Sequence, residues 1–224
     1  MNSVICTVDV VLLTLRDSKL HVALLKRAQE PFAGTLALPG GYIHADEDRD
    51  TLDAATRMLL SKTGIRSPYL EQLATFSGPA RDPRGWSLSV AYYALVPQET
   101  IKASGLASVH LVPVDGIKGL PFDHQNIIET AAARLRSKSN YSSLPVYLCG
   151  EQFTLPRLQA AYEAVLGEPI NKVSFRRKMT ELGMVEEITG AMESGRANRP
   201  AQLYRLKPQF SNALSLIDRG FNAG

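Results

Sequence analysis

A chain of 224 residues is long enough for one large domain or two small ones, with a real core in either case. Its composition, 45% hydrophobic and 21% charged, is ordinary for a soluble globular protein, and a net charge of +3 permits an anionic partner without requiring one. The two cysteines, Cys6 and Cys149, are far apart and lack metal-ligand spacing, which excludes a disulfide scaffold and points to a reducing, cytoplasmic setting.

In chain order, residues 4–16 are rich in valine, isoleucine, leucine and threonine. Thr7, Asp9 and Thr14 interrupt the apolar run and no basic leader precedes it, so it reads as a strand and not as a signal peptide or membrane span. A second such run, 20–26, follows Asp17-Ser18, which predicts a β-hairpin. A short strand over 35–38 ends in Pro39-Gly40-Gly41, read as a tight diglycine turn. Helical periodicity begins near Asp50, with Leu52, Ala55 and Leu59 on one face and Gly64 as its stop. Residues 69–76 and 88–96 are two further strands around a polar loop, 77–87, and 109–114 is another strand. Asp123 is the expected N-cap of a helix over 123–137 whose buried stripe is Ile127, Ile128, Ala131 and Leu135. Strands interleaved with two helices predict an α/β sandwich.

The small polar run 137–143, SKSNYSS, reads as a linker. It divides the chain into a first domain, 1–142, and a second, 143–224. In the second domain Thr154 caps a helix that reaches Leu166, and residues 171–182 form another helix that stops at Gly183. Short strands over 184–188 and 202–206 flank a loop, 189–200, and 210–221 is expected to be a short helix. Helix, turn, helix and hairpin is the layout of a winged helix-turn-helix domain. Its second helix carries Lys172, Ser174, Arg176, Arg177 and Lys178, and its wing carries Arg196 and Arg199. A basic helix in the major groove with a basic wing on the backbone or minor groove fits double-stranded DNA. The plainer reading of the same charges is a solvated face on a small partner-binding domain.

The stretch 38–65, LPGGYIHADEDRDTLDAATRMLLSKTGI, resembles a Nudix box, whose signature is GX5EX7REUXEEXGU with U aliphatic. Gly41 and Glu47 fit its opening, Gly64 and Ile65 fit its close, and Arg57 takes the place of its arginine. Gly41 and Gly64 are 23 positions apart instead of the signature's 21, so two extra residues enter the loop before the helix. The three glutamates that follow are replaced by Met58, Ser61 and Lys62. Positions i, i+3 and i+4 share a helix face, so these side chains are expected to aim at one place. Hard divalent cations need oxygen ligands, which a thioether and an ammonium do not supply. The box predicts a retained shape without metal chemistry, and hence no catalytic or metal-binding residue.

With a Nudix-like domain followed by a winged helix, the chain resembles the Nudix-related transcriptional regulators over nearly its whole length. That family includes repressors of NAD-biosynthesis genes whose Nudix domain senses ADP-ribose or a related dinucleotide. The resemblance implies a homodimer on palindromic operator DNA and ADP-ribose as effector, with no cofactor. The candidate effector contacts are Arg27, Gly40, Gly41, Lys62, Arg81, Arg84 and Trp86. The arginines suit phosphate or ribose, Trp86 suits a base, and Lys62 would stand in for the charge of the missing metal. His44 and His124 are weaker candidates. Two other readings stay open: an active Mg-dependent ADP-ribose pyrophosphatase drawing carboxylates from Asp46, Glu47, Asp48, Asp50 or Asp53, and an interaction adaptor built on the winged helix.

Overall fold

The structure, a computed structural model, describes residues 4–105, 107–193 and 200–210. Its contacts group into two compact units, Met1–Arg16 with Leu20–Arg134, and Asp17–Lys19 with Leu135–Gly224. Arg196, Arg199 and most of the helix expected over 210–221 lie outside the described residues.

The first unit is organised on a sheet. Strand β1 (Ile5–Arg16) and β2 (Lys19–Lys26) form the expected hairpin, turning through Asp17 and Ser18, whose φ angles of 51° and 57° match the twist of the flanking strands. Strands β3 (Leu36–Ala37), β4 (Gly40–Tyr42), β5 (Tyr69–Gly78), β6 (Ser87–Leu95) and β7 (Val109–Pro113) complete it. The order is β3-β2-β1-β6-β5, with β4 paired to β1 and β7 to β2. β1 and β6 run parallel in the centre, from Ile5 opposite Ser87 to Leu13 opposite Leu95. Because side chains alternate along a strand, Val8, Val10 and Leu12 join Tyr92 and Ala94 in one core.

Helix α1 (Thr51–Thr63) closes that core with Ala54, Ala55, Met58 and Leu59. Leu52, expected on the buried face, is instead 46% exposed, because the buried stripe runs through Ala54, Ala55, Met58 and Leu59. Asp50 caps the helix by accepting from the Asp53 amide, and Gly64 ends it at φ 65°. Such a cap contributes about 1 kcal/mol. A short helix, α2 (Gln98–Ala103), had no counterpart in the sequence reading; at six residues it is too short for periodicity to show. Helix α3 (His124–Ser139) buries Ile127, Ile128, Ala131 and Leu135 as expected. The Asp123 carboxylate is not its cap: both oxygens accept from the Arg81 guanidinium instead.

The run 137–143 is no loose linker. α3 continues to Ser139, and Ser139, Ser142 and Ser143 are buried. The Ser139 hydroxyl donates to the Leu135 carbonyl, Ser142 donates to Lys138, and the Ser142 carbonyl accepts from the Tyr162 hydroxyl at 3.0 Å. Small hydroxylated residues resemble a linker in composition, yet here they return their hydrogen bonds to the helix backbone.

In the second unit helix α4 (Leu155–Leu166) starts at the Thr154 cap and ends at Gly167. Helix α5 (Lys172–Leu182) starts at Asn171 and ends at Gly183. Strands β8 (Val185–Glu193) and β9 (Ala201–Leu206) pair antiparallel beyond it. Phe153, Leu158, Tyr162, Phe175 and Met179 are its buried core, with the Tyr162 and Phe175 rings 5.7 Å apart. This is a winged helix-turn-helix arrangement.

Candidate functional site

A cleft of about 480 Å³ opens in the first unit where the end of β2, strand β4, the loop after β5 and the start of α3 converge. That volume lies in the range that holds a nucleotide-sized ligand. Arg27, Gly40, Gly41, Lys62, Arg81 and Arg84 line it, together with His44 and His124.

The diglycine is the first correction. Gly40 and Gly41 are not a tight turn but strand residues, paired with Asp9 and Val8 of β1, and neither has a positive φ. What excludes a side chain is proximity. A Cβ on Gly40 would collide with Asp9 Oδ1 and lie 2.7 Å from the Val8 carbonyl oxygen, and one on Gly41 would lie 2.5 Å from Met58 Sδ. The glycines let β4 press onto β1 and α1, which shapes the cleft wall.

Met58, Ser61 and Lys62 do not converge as expected. Met58 is 8% exposed and packs under Gly41. The Ser61 hydroxyl donates to the Met58 carbonyl, and Lys62 is exposed and lines the cleft. A divalent ion at this face would meet sulfur, a hydroxyl already in use and a cation, so the residues present do not fit one. Among the described residues no group of three His, Cys, Asp or Glu is arranged to hold a metal.

Glu47, Asp48, Asp50 and Asp53 each have a partner in the same segment. Arg57 forks onto Asp48 at 2.7 and 2.6 Å and also donates to the Tyr42 carbonyl. Its hydrogen bonds, with that of the His44 amide, pull the Asp48 carboxyl down to about 2. Glu47, which fits the signature by count, stands 4.0 Å from Arg57 and reaches His44 at 3.2 Å. The two inserted residues thus leave the arginine to Asp48. Asp50 caps α1, and Asp53 accepts from Arg49 at 2.5 and 2.9 Å.

The cleft floor holds a buried polar cluster that the sequence reading did not assemble. His124 Nδ1 accepts from the Leu38 amide at 3.1 Å, which places the proton of the neutral ring on Nε2, 3.6 Å from Asp9 Oδ1. Burial pushes the His124 pKa below its usual value, although the Asp9 carboxylate works against that shift. Asp9 Oδ2 accepts from the Ser89 hydroxyl at 2.6 Å and lies 3.7 Å from Arg81. Arg81, expected to reach for ligand, instead gives its fork to Asp123 at 3.0 and 2.7 Å and a third bond to Ser87. A carboxylate inside an apolar strand was the available signal for Asp9; nothing local marked its partners 72 or more residues away.

At the rim, Arg84 forks onto Asp82 at 3.0 and 2.7 Å and donates to the Tyr42 hydroxyl at 2.6 Å. Arg27 is held by carbonyls, those of Pro31 at 2.9 Å and Gln29 at 3.4 Å, and its guanidinium lies 4.8 Å from the Phe122 ring centre. Burial, then the positive charge of Arg84, lowers the Arg27 pKa. An anion between these cations would relieve that repulsion. Phe122 also meets Phe32 edge-on at 5.0 Å, and both adopt positive φ, 56° and 66°. Trp86 is not part of this wall: it is 46% exposed and absent from the cleft lining, and its carbonyl accepts from the Ile5 amide. Proximity in sequence to two cleft arginines did not place it beside them; Gly85, at φ 144°, stands between Arg84 and Trp86.

In the second unit Phe175 and Met179 turn α5 inward, and Val173, Arg176, Arg177 and Thr180 are exposed. Lys172 is exposed, whereas Ser174 and Lys178 are half-buried, so the cations do not form one block. Arg177 has only a solvent-exposed contact with Glu181, at 3.8 Å.

Two family models match: a NUDIX domain over residues 7–133 and an NrtR DNA-binding winged helix domain over 145–206. The ADPR responsive transcriptional repressor NtrR of Acinetobacter baylyi is 40% identical over 92% of this chain and 84% of its own length. The NrtR of Shewanella oneidensis, solved with a 27mer DNA, is 38% identical with a TM-score of 0.86 over 96% of this chain and 98% of that one. Its NUDIX domain, solved with ADP ribose, gives 37% identity and a TM-score of 0.55 over 60% and 90%. An ADP-ribose pyrophosphatase of Methanocaldococcus jannaschii is 32% identical over 51% of this chain and 66% of its own. With matches to both domains and to full-length relatives, the chain belongs to the NrtR family, in which a NUDIX domain precedes a DNA-binding winged helix.

Proposed function

We propose that this protein is an ADP-ribose-responsive transcriptional repressor of NAD-metabolism genes, acting in the cytoplasm as a homodimer on palindromic operator DNA. The NUDIX domain binds ADP-ribose or a related nucleotide diphosphate without cleaving it, and the winged helix binds the operator. One observation carries the first half: the face of α1 that follows Arg57 offers the cleft Lys62 and no carboxylate, while the nearby acids Asp48, Asp50 and Asp53 serve Arg57, the helix cap and Arg49. Lys62 and Arg27 are the proposed diphosphate contacts, with Arg84 at the rim and Gly40 and Gly41 allowing close approach. Arg81 acts as the buttress of the cleft floor. The named relatives that bind ADP ribose and DNA support the same reading. No described helix is long and apolar enough to cross a membrane.

The effector must favour one of two arrangements of the DNA-bound dimer; a coupling of about 1–3 kcal/mol corresponds to roughly 5- to 150-fold in operator affinity. The test titrates ADP-ribose into the protein–operator complex with magnesium or with EDTA, while AMP release is followed in parallel. A shift in operator affinity of that size, unchanged by EDTA and weakened by Lys62→Ala, is the expected result. Multiple-turnover AMP release at ordinary enzyme rates favours the pyrophosphatase reading, which the Methanocaldococcus relative motivates.

A further inference from the structure

The exposed side of α5 carries a residue that charge does not explain. Val173 is 75% exposed, the most exposed of the large hydrophobic residues among those described. It stands in the first turn, with Lys172 before it and Arg176 and Arg177 three and four positions on. At 100° per residue Val173, Arg176, Arg177 and Thr180 share one face, opposite the buried Phe175 and Met179. An apolar side chain ringed by cations suits a partner whose phosphates surround a small apolar target.

We propose that Val173 reads the C5-methyl group of one thymine in each operator half-site. The inference rests on the reading of this unit as a DNA-binding winged helix. In that geometry the first turn of the second helix meets base edges, and the thymine methyl is the apolar mark of the major groove. The local structure fixes the contact. Asn171 Oδ1 accepts from both the Val173 and Ser174 amides at 3.0 Å, which locks the first turn and uses the side-chain oxygen that would otherwise be free for a base. A β-branched side chain in a helix keeps one strongly preferred rotamer, so the two Val173 methyls are presented without much loss of freedom. Arg176 and Arg177 supply the flanking phosphate or guanine contacts, and Val173 supplies discrimination that they do not.

The experiment uses the full chain and a duplex that it selects from a randomised library. Each thymine of that duplex is replaced in turn by deoxyuridine, which removes only the methyl group. One position per half-site is expected to lose about fourfold in affinity, the worth of one buried methyl. Val173→Ala, which removes the contact in both half-sites, should bind the parent duplex about as weakly as wild type binds the duplex carrying deoxyuridine at both positions, and should show no further loss at either. Lys172→Ala should weaken both duplexes alike and flatten the salt dependence. If no thymine is penalised, or if the penalty persists in Val173→Ala, the assignment of Val173 is overturned while the DNA-binding reading stands. If no duplex is enriched, the DNA-binding reading falls and this inference with it.

Discussion

Helices α1 and α5 end in the same way and use their charges in opposite ways. Both begin at a side-chain cap and stop at a glycine in the left-handed region, Gly64 and Gly183. Around α1 nearly every charge has a partner in the same segment: Arg57 with Asp48, Arg49 with Asp53, and His44 with Glu47. On α5 the exposed cations Lys172 and Arg176 have no ion pair among the described residues, and Arg177 meets Glu181 only loosely. A helix that satisfies its own charges is a scaffold, and Lys62, which lines the cleft, has no ion pair among the described residues. A helix that leaves them unsatisfied keeps its cations available to solvent or to an anionic partner.

The largest expected effect breaks this contrast most directly. Arg176→Ala with Arg177→Ala should weaken operator binding by about 1–3 kcal/mol for each arginine that touches the duplex, and reduce the salt slope by about 0.9 for each phosphate left without its cation. Arg49→Ala should leave DNA binding unchanged. Filter binding across a salt series measures both. Next come the glycines. Gly40→Ala forces a methyl group onto the Val8 backbone and Asp9, and should lower the urea midpoint by the equivalent of about 1–3 kcal/mol or more. Gly41→Ala should be partly relieved by Met58→Ala, because the obstacle there is a flexible thioether; a double-mutant cycle detects that relief.

A smaller effect concerns His124. Its folded pKa is depressed, so below the ordinary value near 6.5 the unfolded chain takes up a proton that the folded chain refuses. The stability it contributes is therefore present above about pH 6.5 and lost as the pH falls toward the folded pKa. His124→Asn keeps an acceptor for the Leu38 amide and should flatten the melting temperature across that window. Asp48 acts lower. With its carboxyl drawn down to about 2, its contribution is complete above about pH 4 and disappears as the pH falls toward 2. Thermal melts of Asp48→Asn, compared with wild type between those limits, should lack that decline.

The elements legible in the sequence were those with local causes. Thr154 caps a helix, Gly64 and Gly183 end theirs, and Asp17-Ser18 turns a hairpin; each signal lies within a few residues of its effect. The side-chain types at 58, 61 and 62 are equally plain, a thioether, a hydroxyl and an ammonium. What could not be read was tertiary. That Gly40 and Gly41 form a strand depends on β1, some thirty residues earlier. That Arg81 belongs to Asp123 spans 42 residues, and that His124 receives the Leu38 amide spans 86. Trp86 follows two cleft arginines in sequence and the serines of 137–143 have a linker's composition, yet neither fact fixes where the folded chain places them.

Met58 sets an order on how carboxylates could be placed along this face of α1. A glutamate at 58 would bring a carboxylate to a place that is 8% exposed, beneath Gly41 and among Ala54, Ala55 and Leu59. An unpaired charge buried there costs several kcal/mol, a large part of the 5–15 kcal/mol or so that holds a typical domain together. Positions 61 and 62 are exposed and can accept acids at little cost. The inner position therefore comes last: carboxylates would have to be introduced from the outside inward, with a cation already present to receive the last one.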